Sequence, residues 1–259
     1  MTIHSTAIVD RKAEIADNVS IGPYSIIGPD VTIQSGTVIG PHVVVQGPTH
    51  IGCDNHIYQF ASIGEVSQAK GGDQETGTRL EIGDRNTIRE YATINRGSPE
   101  GGFVTRVGHD NWLMAYTHIA HDCQLGNHII FSNNASCAGH VEVGDHAILS
   151  GFAIIHQFSK IGQHAFVGMG AGVNKDVPPY FVAFGHPAKA VNVNKEGLRR
   201  RDFSADTIQA ISRAYRLLYR AGQPRQQVLD QLGEMAQREP AIDNLVQFIQ
   251  GSERGIIGS

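Results

Sequence analysis

The sequence predicts a mainly β protein, a parallel β-helix of triangular section with a small α-helical domain behind it. Two observations carry this. Branched or apolar residues recur every six positions through most of the chain, a period that fits neither a helix nor an ordinary strand. The rhythm stops near Asp176-Val177-Pro178-Pro179, after which apolar residues return at helical spacing.

In chain order the recurring positions begin with Val9, Ile15, Ile21, Ile27, Ile33, Ile39, Val45, Ile51, Ile57 and Ile63. Ile82, Ile88 and Ile94 follow, then Val107, Leu113, Ile119, Leu125, Phe131, Cys137, Val143, Leu149, Ile155, Ile161, Val167 and Val173. Each hexad reads as one short strand plus one turn, with the β-branched side chain pointing inward. A glycine often comes next, as in Ile21-Gly22, Ile39-Gly40 and Ile51-Gly52, and is expected to let the backbone turn the corner. Three hexads close a coil of about 18 residues, and successive coils stack about 4.8 Å apart. The motif resembles the hexapeptide-repeat proteins, whose coils are left-handed against the usual right-handed crossover. The resemblance implies a left-handed parallel β-helix.

Two stretches break the register, residues 64–81 and 95–106. Both are polar and glycine-rich and read as loops leaving the prism, either tolerated insertions or lids over a cleft between subunits. The β-helix domain is assigned to residues 1–190 and the helical domain to 191–259, with Pro178 and Pro179 ending strand pairing. Ser204 caps a helix over 205–221 whose apolar stripe is Ile208, Ile211, Ala214, Tyr215 and Leu218. Pro224 opens a second helix, to about residue 238, with Val228, Leu229, Leu232 and Met235. Pro240 opens a last segment carrying Ile242, Leu245, Val246 and Ile249.

The composition, 41% hydrophobic and 18% charged over 259 residues, is that of a globular chain. Cys53, Cys123 and Cys137 form no CxxC pair, which fits a reduced, cytosolic chain without a disulfide framework or a structural zinc site. There is no leader-like N-terminus and no apolar run of about 18 residues. The net charge of −4 gives no overall nucleic-acid signal. Charge is nevertheless uneven, because Lys189, Lys195, Arg199, Arg200, Arg201, Arg213, Arg216, Arg220 and Arg225 cluster at the start of the helical region. That cluster suits an anionic partner or ligand, and no groove-reading motif accompanies it.

The coil repeat gives a positional argument for chemistry. It stacks His121, Gly139 and Gln157 on one corner, with Asp122 and His140 beside them and His118 and His156 close by. A neutral imidazole there can take a proton from an attacking hydroxyl. Asp122 can fix its tautomer, if a turn brings the two side chains together. The Gly139 N–H can donate to a developing oxyanion. No Ser or Cys stands beside His121 as a nucleophile, which favours direct acyl transfer over a covalent intermediate. A shared zinc site is the rival for so many histidines.

The strings Ile57-Tyr58-Gln59-Phe60-Ala61-Ser62-Ile63-Gly64-Glu65, His118-Ile119-Ala120-His121-Asp122-Cys123, Ala138-Gly139-His140-Val141, His156-Gln157-Phe158 and Glu196-Gly197-Leu198-Arg199-Arg200-Arg201 resemble the UDP-N-acetylglucosamine O-acyltransferases of lipid A synthesis, end to end. The resemblance implies a cytosolic homotrimer with sites in the clefts between prisms and with no cofactor or metal. It implies transfer of a 3-hydroxyacyl group from acyl carrier protein to the 3-hydroxyl of UDP-N-acetylglucosamine. By the same resemblance His121 is the base, Asp122 its partner and Gly139 the oxyanion donor. His118, His140, His156 and Gln157 would line the pocket, and Asn194, Glu196, Arg200 and Arg201 would meet the nucleotide end. Gln68, Lys70 and Asp73 are assigned to sugar or nucleotide contacts, and Arg213, Arg216 and Arg220 to the acidic carrier protein. Met169 occupies the segment that limits acyl length, and its bulk predicts a chain of about ten rather than about fourteen carbons. Asn95-Arg96-Gly97 stands where His-Arg-Gly is common, which leaves a 3-amino acceptor open. Hexads starting at Val9 separate the chain from the sister N-acyltransferases, which carry a large domain first.

Overall fold

A computed structural model describes residues 2–70 and 77–259. Short parallel strands stack into sheets of 11, 9 and 8 strands, the three faces of a left-handed β-helical prism. Ile21 pairs with Ile39, Ile27 with Val45 and Ile33 with Ile51. Stacked partners are thus 18 positions apart. Each inward hexad side chain from Ile21 to Val173 lands on its counterpart, and together they form the buried core. Val9 and Ile15 pack against that core from the N-terminal end and are only half-buried.

Apart from Gly64, at φ 79°, the glycines that follow the core residues do not take the left-handed backbone of the corners. The left-handed backbone falls two residues later, on Tyr24, His42, Phe60, Tyr91, Tyr116, Asp122, His140 and Phe158 among others. Each such residue costs about 1–2 kcal/mol in isolation. Stacking of ring on ring along an edge offsets it: Tyr24, His42, Phe60, Tyr91 and Tyr116 form a ladder with centroids 4.8 to 5.3 Å apart. The glycines serve close approach between coils instead. A Cβ on Gly22 would lie 2.7 Å from the carbonyl carbon of Gly40.

Both interruptions are shorter than expected, because strands Ser62–Glu65, Arg79–Ile82 and Val104–Val107 extend into them. Of the described residues, 66–70, 77–78 and 96–103 remain between strands. Across the first insertion the stacking interval grows from 18 to 31 positions, and across the second to 25, so they add 13 and 7 residues.

The two prolines do not end strand pairing. They lie in a turn, where no ladder N–H is required of them. Phe181–Phe184 then joins the 11-stranded sheet in parallel, and Lys189–Val193 returns antiparallel beside it. A short helix, α1 (Lys195–Arg199), follows and was not expected. Then come α2 (Ala205–Arg220), α3 (Arg225–Ala236) and α4 (Pro240–Gln250), within two residues of expectation. Ser204 caps α2 by accepting from the Thr207 N–H, and Ile208, Ile211, Ala214 and Tyr215 are buried. Tyr215 donates to the Ala190 carbonyl at 3.1 Å, which fastens α2 to the last strand. Among the described residues no helix is long and apolar enough to cross a membrane.

Candidate active site

His118 lies on strand His118–Ile119, between Thr93 and Ser136 of the neighbouring coils. Ile119 enters the core, and the chain then turns from the 9-stranded to the 8-stranded sheet. Asp122 takes φ 61° at that turn. Strand alternation would have thrown His121 and Asp122 to opposite faces. The left-handed turn brings them together instead, with His121 Nδ1 2.7 Å from Asp122 Oδ2.

The Asp122 carboxylate is fully buried, yet both oxygens are bonded. Oδ1 accepts from the Ser98 N–H at 2.9 Å and Oδ2 from Ser98 Oγ at 2.6 Å. The Asp122 N–H donates to Thr105 Oγ1 at 2.7 Å, which holds the turn. Burial pushes the acid's pKa up, but hydrogen bonds from His121 and Ser98 outweigh it and keep the carboxyl below its usual range. The acid is therefore an anion at neutral pH, which places the His121 proton on Nδ1 and a lone pair on Nε2.

Around this dyad the coils stack as the repeat requires. A Cβ on Gly139 would fall 2.6 Å from His121 Cε1, so only glycine leaves room for the ring. His140 meets His121 edge-on at 5.1 Å, stacks on Phe158 at 4.3 Å, and places Nε2 3.8 Å from Asp122 Oδ2. His118 Nδ1 is 2.7 Å from Thr93 Oγ1, and burial, with the His121 charge beside it, lowers its pKa. His156 and Gln157 lie two coils from the dyad, one beyond Gly139 and His140, and are exposed. Among the described residues His121, Asp122 and His140 form the one group with metal-ligand spacing, their donor atoms within 4.8 Å of one another. Three donors already occupy the Asp122 oxygens, which suits an oriented base better than a cation ligand.

Comparison with known proteins shows the family. The family described as UDP-N-acetylglucosamine O-acyltransferase, domain 2, matches residues 176–257, and bacterial transferase hexapeptide repeats match residues 12–47. An acyl-(acyl-carrier-protein)–UDP-N-acetylglucosamine O-acyltransferase of Herminiimonas arsenicoxydans is 50% identical over 259 residues, 98% of each chain. The chain belongs to this acyltransferase family. A protein of the same name from Halorhodospira halophila is 52% identical over 255 residues, again 98% of each. The structure of the Francisella novicida UDP-N-acetylglucosamine acyltransferase superposes with TM-score 0.97 at 38% identity, covering 100% of this chain and 94% of that one.

The remaining residues expected from the acyltransferase resemblance fall elsewhere on the prism. Arg201 bonds His146 Nδ1 on the edge between the 8- and 11-stranded sheets, a different edge from the dyad's. Asn194 has both amide groups engaged, accepting from the Gly197 N–H at 3.1 Å and donating to the His164 carbonyl at 2.9 Å. It therefore caps α1. Glu196 pairs with Arg200 at 3.0 Å and Arg199 at 3.7 Å. Arg216 and Arg220 join Lys195 and Arg199 around a pocket of 660 Å³, and Arg213 lies outside it. Met169 is 73% exposed, on the third edge. Gln68 and Lys70 are exposed, and Asp73 lies outside the described residues. Asn95, at the position where histidine is common, is buried and donates to the Val66 carbonyl at 2.6 Å, so it clasps the first loop. Sequence reasoning missed Ser98 and Thr105, because the coil repeat assigns no partner to a residue in an insertion or at its edge.

Proposed function

We propose that the chain transfers a 3-hydroxyacyl group from acyl carrier protein to the 3-hydroxyl of UDP-N-acetylglucosamine, the step that opens lipid A synthesis. The observation that carries this is the His121–Asp122 pair, 2.7 Å apart with an anionic carboxylate. His121 Nε2 takes the proton of the sugar 3-hydroxyl as that oxygen attacks the thioester carbonyl. The negative charge moves to the carbonyl oxygen, where the Gly139 N–H donates to it. Collapse reforms the carbonyl, breaks the carbon–sulfur bond and returns the proton from the imidazolium to the departing thiol. Asp122 stabilises the imidazolium between the two transfers. His118, His140, His156 and Gln157 line the path of sugar and acyl chain.

Glu196, Arg200 and Arg201 meet the nucleotide, with Asn194 acting by capping α1, which bears Glu196 and ends just before the two arginines. They sit on a different prism edge from the dyad, so one substrate is held by two copies of the chain. Opposed edges that differ make a heterologous contact, which closes as a ring, here a homotrimer. The exposed ladder Tyr24, Phe60, Tyr91 and Tyr116 supports an interface between copies. Gln68, Lys70 and Asp73 reach the substrate from the first loop, Met169 stops the acyl chain, and Arg213, Arg216 and Arg220 receive the acidic carrier protein. The reaction is placed in the cytosol.

Turnover with paired UDP-sugars tests the acceptor. An ester on UDP-N-acetylglucosamine is expected, and preference for the 3-amino analogue would overturn the assignment. Near-stoichiometric zinc in the active protein, with activity lost on chelation, would overturn the base mechanism.

A further inference from the structure

Residues 96–103 are an insertion that the prism does not need, yet they are tied down firmly. Gly97 donates to the Arg79 carbonyl at 3.1 Å, and Arg96 Nη1 to the Gly47 carbonyl at 2.6 Å. The N–H groups of Gly101 and Phe103 both donate to the Ser98 carbonyl, at 3.1 and 3.0 Å, so the loop curls around Ser98. The curl points two Ser98 donors, the backbone N–H and the hydroxyl, at one carboxylate. Gly101 presses on the same group, since a Cβ there would lie 2.1 Å from Asp122 Cγ and 2.5 Å from His140 Cε1.

We propose that Ser98 is a positioning residue for acyl transfer, fixing the Asp122 carboxylate so that Oδ2 serves His121 and not His140. This rests on the assignment of His121 and Asp122 as base and orienter. Two imidazoles compete for Oδ2, His121 Nδ1 at 2.7 Å and His140 Nε2 at 3.8 Å. The last torsion of an aspartate is broad and roughly two-fold, so sterics alone do not choose between them. Ser98 chooses, because one donor on each oxygen pins the plane of the carboxylate. With the plane fixed, Oδ2 stays 2.7 Å from His121 Nδ1 and 3.8 Å from His140 Nε2. The hydroxyl contact, at 2.6 Å to a charged acceptor, is short and strong and is the contact that holds the oxygen shared with His121.

Ser98→Ala removes the hydroxyl while keeping the backbone donor and the turn. Steady-state kinetics should show kcat lower by about 10-fold or more, with KM for UDP-N-acetylglucosamine within about twofold. The acid limb of the kcat/KM profile should move down in pH, as in Asp122→Asn, because His121 loses its anionic partner. Ser98→Thr should restore rate and profile, and Ser98→Ala with Asp122→Asn should be no slower than Asp122→Asn alone. Wild-type kcat and acid limb in Ser98→Ala would overturn the proposal. So would multiplicative losses in the double variant, or a lowered melting temperature with an unmoved pH profile, which marks a mere cover. If His121→Ala and Asp122→Asn keep full activity, the base assignment falls and takes Ser98 with it. If they lose activity and Ser98→Ala does not, only Ser98 falls.

Discussion

A methyl group on Gly139 would lie 2.6 Å from Cε1 and 2.7 Å from Nε2 of His121. The ring is tied through Nδ1 to Asp122 at 2.7 Å, so a shift away from the methyl strains the dyad. Gly139→Ala is therefore expected to act on chemistry more than on folding. Overpacking of this kind costs about 1–3 kcal/mol, or about 5- to 150-fold in kcat. An acyl-transfer assay beside a thermal melt measures both, and native turnover in Gly139→Ala would remove His121 from the reacting geometry.

His121→Ala should abolish all but about one part in 1,000 of the activity. Its side chain is 20% exposed and its removal leaves the hexad core intact, so the melting temperature should change little. Asp122→Asn should behave differently. The amide places a donor where the carboxylate accepts from Ser98, so stability should fall by about 1–3 kcal/mol along with the rate. Equal melting temperatures for the two variants would contradict the burial argument.

The contrast between His121 and Ser98 explains what the sequence made legible. Gly139 stacks over His121 because the hexad period converts sequence distance directly into height along the prism. The same rule gave the core from Ile21 to Val173. It placed Asp122 beside the stack but did not aim its side chain, which is set by a left-handed turn and not by strand alternation. It also misassigned the glycines, because a fixed interval shows where small residues recur and not whether a φ angle or a neighbouring coil requires them. Ser98 is invisible to the rule altogether, since its insertion breaks the register. The hairpin at 181–193 escaped for a related reason. After Val173 the period is gone, and two prolines looked like an end when they only occupy a turn.

Met169 is 73% exposed in the single chain and follows Gly168 on the edge that also carries Phe152. If it closes a groove formed with a neighbouring copy, the chain should prefer donors of about ten carbons, since each added methylene must find room. Met169→Gly should shift the preference toward longer donors while leaving KM for the UDP-sugar unchanged. Competition between carrier-protein thioesters of graded length reads this directly. A wild-type preference for about fourteen carbons would remove Met169 from the acyl path.

Arg216 and Arg220 line a pocket with Lys195 and Arg199, so an acidic carrier protein would meet four cations there. Replacing both arginines by glutamate should raise KM for the acylated carrier protein without changing kcat at saturation. The wild-type KM should rise with salt, and that dependence should flatten in the variant, because exposed charges are screened within about 10 Å at 0.1 M. An unchanged KM at low salt would place the docking surface elsewhere.

His164 gives the fold an acid limit. It is buried between His146, at 4.7 Å, and Tyr180, at 5.9 Å, with Phe203 edge-on at 4.9 Å. Burial lowers its pKa from 6.5 to about 4, and the His146 and Arg201 charges push the same way while Asp145 opposes them. Between those values the unfolded chain binds a proton that the native ring refuses. The stability His164 contributes is therefore complete above pH 6.5 and is lost as pH falls toward 4. At about 1.4 kcal/mol per pH unit, this one ring accounts for about 3 kcal/mol. His118, His140 and His146 are shifted in the same direction and add to the slope. The melting temperature should thus drop steeply between about pH 6.5 and about pH 4.5. His164→Phe keeps a ring in the stack and removes the titration, so its profile should be flatter over the same window. A wild-type melting temperature constant across that window would mean that the His146–His164 stack admits a proton without opening.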